Sequence, residues 1–152
     1  MACKLLAAKA GELAYVFQHR LGGRRNLKTV LIVDGDLGFA FWLGHLLDAA
    51  GYLAMPAKSV PDAAKLVVQL NLAVDALVIN LAVPGSVDYI AASQRSNSDL
   101  RVVGVLNDSV EVANVPRVHA IHFKGTVLDE QAKADWLQCV QGVMVRTGLA
   151  VG

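Results

Sequence analysis

The sequence predicts a doubly wound α/β domain with a five-stranded parallel sheet, and three observations carry that prediction. First, Thr29-Val30-Leu31-Ile32-Val33, Ala76-Leu77-Val78-Ile79 and Val102-Val103-Gly104-Val105-Leu106 run apolar on consecutive rather than alternate residues, as strands covered on both faces must. Second, two weaker candidates, Tyr52 to Ala57 and Val118 to Lys124, extend the series at the spacing of βα units. Third, segments of helical length and pattern lie between these runs, the alternation that marks a parallel sheet.

Each intervening element has a local reason. Asp36 can cap a helix in which Leu43, Leu46, Leu47 and Ala50 share a face, with Gly51 as terminator. Ser59 can cap the next, with Pro61 in its first turn and Ala64, Leu66, Val67 and Leu70 following. Ser86 to Gln94 makes a shorter third helix. Asp129 to Val145 makes the last, with Trp136, Leu137, Val140, Val143 and Met144 inward. Between Asn107 and Val118, the β-branched Val110, Val112 and Val115 and the breaker Pro116 predict only a stunted helix. Ahead of the domain, Lys4 to Arg20 reads as an additional amphipathic helix offering Leu5, Leu6, Leu13, Val16 and Phe17, joined by a basic linker from Arg20 to Asn26. The expected division is residues 1–27, helix and linker, and residues 28–152, the α/β domain.

Composition narrows the function. Of 152 residues, 55% are apolar and 18% charged, with a net charge of +1. That excludes disorder and argues against a dedicated nucleic-acid binder. Cys3 and Cys139 show neither disulfide-framework nor zinc spacing, so a reducing, cytoplasmic setting is expected. No uninterrupted apolar run reaches a membrane span of about 18 residues, and Glu12, His19 and Arg20 make the opening stretch a poor signal peptide.

In open α/β sheets, ligands bind beyond the carboxyl ends of the strands. The residues there are Asp34, Gly35 and Asp36 after the first strand, Asn80 after the third, Leu106 and Asn107 after the fourth, and Lys124 after the fifth. His119 and His122 form an H-x-x-H, but three residues apart on a strand they face opposite sides, so no metal site is expected. His19 and His45 read as helix-surface residues, and Arg20, Arg24, Arg25 and Lys28 as a solvated basic run. Lys124-Gly125-Thr126 echoes the end of a P-loop but lacks the glycine ahead of it.

Leu31-Ile32-Val33-Asp34, Leu43-x-x-x-Leu47-x-x-x-Gly51-Tyr52 and Asp75-Ala76-Leu77-Val78-Ile79-Asn80-Leu81-Ala82-Val83-Pro84-Gly85 together resemble the CheY-like receiver domain of bacterial two-component response regulators, over about Lys28 to Arg146. The resemblance implies strand order 2-1-3-4-5. It also implies a chemistry in which an aspartate ending the third strand takes a phosphoryl group from a histidine kinase. A magnesium ion held by an acidic pair and by that aspartate assists, and a Ser or Thr and a Lys sense the product. The roles follow from charge: a carboxylate nucleophile, hard oxygens for the metal, a cation for the phosphoryl group.

At the matching positions this chain departs from the pattern. Asn80 stands at the phosphoacceptor position, and the acidic pair falls on Asp34 and Gly35, with Asp36 the nearest replacement. The Ser/Thr position falls on Leu106, with Asn107 as the next placement; Lys124 matches the lysine, followed by Gly125 instead of the usual proline. A unit charge pair at 4 Å contributes about 4 kcal/mol at an effective dielectric near 20, and a divalent ion about doubles it. Losing two of three carboxylates therefore predicts no metal beyond a weak residual site at Asp34 and Asp36, and no cofactor. No complete nucleophile–base set points to an enzyme. The expected function is a pseudo-receiver, a phosphorylation-independent protein-interaction module in signalling. The alternative is a small-molecule sensor using Asp34, Asn80, Asn107 and Lys124. The expected partners are a signalling protein and a second copy of the chain, in a homodimer joined through the N-terminal helix, with neither membrane nor nucleic acid involved.

Overall fold

A computed structural model describes residues 27–107 and 118–149, with side chains through Val145. The predicted N-terminal helix with His19, its basic linker, and the stunted segment after Asn107 lie outside the described residues.

The elements follow one another as β1 (Thr29–Val33), α1 (Leu37–Ala49), β2 (Leu53–Ala57), α2 (Val60–Gln69), β3 (Ala76–Asn80), α3 (Ser86–Ser96), β4 (Arg101–Leu106), β5 (Ala120–Phe123) and α4 (Glu130–Leu149). All strand pairs are parallel, in the order β2-β1-β3-β4-β5, as expected. Central β1 and β3 are buried at every position, which explains their unbroken apolar runs. Alternate residues serve opposite layers. Val30, Ile32, Val78, Val103 and Val105 meet Phe39, Leu43 and Leu47 of α1 and Trp136, Val140 and Val143 of α4. Leu31, Val33, Leu77 and Ile79 meet Ala63 and Leu66 of α2 and Ile90 of α3. β2 lies at an edge, where Pro56, which has no N–H, is tolerated.

Side-chain caps set where three of the four described helices start. Asp36 Oδ1 accepts the Phe39 N–H at 3.2 Å, Ser59 Oγ accepts the Asp62 N–H at 3.3 Å, and Asp129 Oδ1 accepts the Ala132 N–H at 2.9 Å. Gly51 follows α1 with φ +96°, the left-handed conformation that favours glycine at a helix end. Ala50 is a correction: it is the exposed C-cap of α1, while Phe39 and Ala40, in the first turn of the helix, complete the buried face. α3 runs on to Ser96, and α4 starts at Glu130 because Asp129 is its cap. No helix among the described residues is long and apolar enough to cross a membrane.

Candidate functional site

The strand order reverses between β1 and β3, and the crevice at such a switch point is where an open sheet binds ligands. Asp34 follows β1 and Asn80 ends β3, and both are buried, at 2% and 3% exposure. A buried carboxylate needs compensation, and Asp34 receives it from three directions. Its Oδ1 accepts the Asp36 N–H at 2.8 Å, and its Oδ2 accepts Asn80 Nδ2 at 3.1 Å. Lys124 Nζ lies 3.0 Å from Oδ1 and 2.9 Å from Oδ2, bridging both oxygens. The Lys124 side chain is 13% exposed, so this pair is shielded from water.

Asn80 is held equally closely. Its Nδ2 donates to Asp34 and, at 2.8 Å, to Asn107 Oδ1, while its Oδ1 accepts the Ala82 N–H at 2.9 Å. The amide orientation follows from these partners, since the turned-over amide would set its carbonyl against a carboxylate. The loop after β3 is fixed further by Ser86 Oγ, which donates to the Leu81 carbonyl at 2.9 Å.

Asp34, Asn80, Asn107 and Lys124, which the sequence puts at the strand ends, are thus brought into one network. Asp36 stands at its margin: its side chain is 58% exposed, caps α1, and lies 3.8 Å from Lys124. Gly35 is exposed and supplies no ligand. Leu106 contributes its carbonyl, which accepts the Lys124 N–H at 2.7 Å. Phe39 was missed by sequence reasoning; its ring lies 4.8 Å from Lys124 Nζ, a cation–π contact. Its position three residues past the Asp36 cap, one turn into the helix, was the available signal.

The histidines do not share a site. His119 Nδ1 accepts the Val102 N–H at 3.0 Å, extending the β4–β5 pairing, whereas His122 packs edge-on against Trp136 at 4.2 Å. Burial holds the His122 pKa below its ordinary value, with Asp135 opposing the shift. His45 is exposed on α1. Cys139 is a free, half-buried thiol whose pKa burial pushes up.

The receiver resemblance implies a magnesium ion beside Asp34, and the donor set does not fit one. A magnesium site needs several hard oxygens in near-octahedral array. Here both Asp34 oxygens are taken by an ammonium group, Asn80 presents its N–H₂ to Asp34, and the exposed Asp36 carboxylate is engaged as a cap. Among the described residues no cluster of three His, Cys, Asp or Glu side chains could hold a metal ion.

No family model matches the chain, nor does any curated protein. Solved structures do. The N-terminal domain of a response regulator/sensory box/GGDEF three-domain protein from Carboxydothermus hydrogenoformans superposes with TM-score 0.66 at 19% identity, covering 82% of this chain and 100% of that one. A CheY-like receiver domain protein from Methanospirillum hungatei gives TM-score 0.66 at 14% identity, covering 82% and 99%. A chemotaxis response regulator of Vibrio cholerae gives 0.62 at 15%, covering 78% and 99%. The strand order, the helices on both faces and these superpositions together give this chain the CheY-like receiver fold of response regulators.

Proposed function

We propose that this chain is a pseudo-receiver, a signalling module that keeps the receiver scaffold but binds its protein partner without aspartyl phosphorylation. The observation that carries the reading is the bridge from Lys124 to both oxygens of Asp34, beside an Asn80 amide whose hydrogen bonds go to Asp34, Asn107 and the Ala82 backbone. An amide is no nucleophile for phosphoryl transfer. The lysine that would answer a transferred phosphoryl charge already neutralises a resident carboxylate. The domain therefore holds one state, and its surface, not a phosphoryl switch, presents the signal. The small-molecule sensor reading gains no comparable support, because Asp34, Asn80 and Lys124 direct their polar groups to one another, to Asn107 and to the adjoining backbone.

Incubation with acetyl phosphate and magnesium tests the proposal. The intact mass of the protein is expected to stay unchanged. A gain of one phosphoryl group mapping to the end of β3 would overturn the reading.

A further inference from the structure

Among the described residues, the sheet is incompletely covered between α2 and α3. A groove of about 520 Å³ descends to Leu31 and Leu77 of the sheet, between Val67 and Val68 of α2 and Tyr89 and Ala92 of α3. Val68 is 79% exposed, the highest of the exposed large hydrophobic side chains among the described residues. An apolar cleft with an exposed valine at its lip is a surface that gains by being covered.

The chain itself supplies a cover at the right place. Residues 1–26 precede the described chain, which runs into β1 at the foot of this groove. Thr29 N–H donates to Asp75 Oδ2 at 2.8 Å and its carbonyl accepts the Asp75 N–H at 2.9 Å. Asp75 directly follows Val74, which lines the groove and whose carbonyl accepts Asn97 Nδ2 at 3.2 Å. On a helix over residues 4–20, Leu5, Leu6, Leu13, Val16 and Phe17 fall on one side, with Lys9 and the terminal Arg20 among them, both long enough to reach water along their stems. A helix of that length is marginal unless packed.

We propose that residues 4–20 dock as an amphipathic helix across the α2–α3 groove of their own chain, inserting apolar side chains between the two helices. Residues 21–27 reach at most about 25 Å when extended, enough to lead the segment from the start of β1 back over the groove. Tethering decides between this seat and one on a second copy. A short flexible linker holds its segment at an effective concentration of order millimolar, well above micromolar protein. The homodimer expected from sequence is thus the competing arrangement, and it has the weaker concentration term.

Photo-crosslinking of the full chain tests this. Benzoylphenylalanine replaces Phe17 in an equal mixture of isotopically light and heavy chains at micromolar concentration. Adducts are expected to map to peptides of α2 and α3 and to join residues of one isotopic chain. Val68→Glu, at an exposed position that leaves the fold intact by circular dichroism, should lower their yield at least about tenfold, because docking would bury an unpaired carboxylate. Ala92→Glu on the opposite lip should do the same. Light–heavy adducts, adducts on another face, no adducts, or yields indifferent to both substitutions would each overturn the proposal.

Discussion

Replacing Lys124 with methionine removes the cation from Asp34 while keeping much of the stem's volume. Breaking a fully buried ion pair by deleting one partner costs about 3–5 kcal/mol, because the remaining charge is left uncompensated. Two features of this site lower that figure. Lys124 keeps 13% of its side chain exposed, and Asp34 retains the N–H bonds from Asp36 and Asn80 at 2.8 and 3.1 Å. We therefore expect Lys124→Met to cost about 2–3 kcal/mol, with the Phe39 contact at 4.8 Å a minor share. For a domain of this size that corresponds to a melting point lower by roughly 6–12 °C. Urea unfolding followed by tryptophan fluorescence measures it directly, with an unchanged denaturant slope showing that stability alone has moved. Adding Asp34→Asn should recover much of the loss, since removing both charges of a buried pair is often close to neutral. A loss below about 0.5 kcal/mol, the size of an exposed pair, would refute the idea that Lys124 is the resident counter-charge of Asp34.

Other expectations follow from the same geometry. Asn80→Asp restores a carboxylate but sets it against Asp34 at the site of a 3.1 Å hydrogen bond, so acetyl phosphate should label it at most feebly; robust labelling would show that Asp36 suffices as a metal ligand. Trp136 is 1% exposed and touches both Phe39 and His122, so Trp136→Ala should cost about 3–5 kcal/mol in urea unfolding. Asp36→Ala removes the α1 cap and should cost about 1 kcal/mol in urea unfolding. Because burial lowers the His122 pKa, the unfolded chain binds the proton more readily than the folded one. Stability should therefore fall as pH drops through about 6.5 towards the lower folded value, and His122→Gln should flatten that stretch of the profile; an identical profile in the variant would contradict the assignment.

How much of this was legible in the sequence depended on whether the information was local. The strands of the sheet centre could be read because burial on both faces writes an unbroken apolar run, as in Thr29 to Val33. The Asp36 and Ser59 caps could be read from residue type and spacing. The strand-end set could be gathered because the topology brings the ends of β1, β3, β4 and β5 to one side. Contacts decided by distance between elements could not be read. Nothing local says that His119 completes the β4 ladder at Val102, that Asp75 anchors the Thr29 N–H, or that α2 and α3 part widely enough to leave Val68 exposed. Ala50 was placed inward by helical spacing, but the helix ends before it.

The central claim is that the polar groups of the strand-end site are engaged with one another and take up neither a metal ion nor a phosphoryl group. Amide NMR spectra of the full chain, titrated with magnesium and then with beryllofluoride as a phosphoryl mimic, address it most directly. The account predicts that the amides of Asp34 to Asp36, Asn80 to Ala82, Asn107 and Lys124 keep their positions throughout both titrations. Saturating shifts confined to those amides would contradict it.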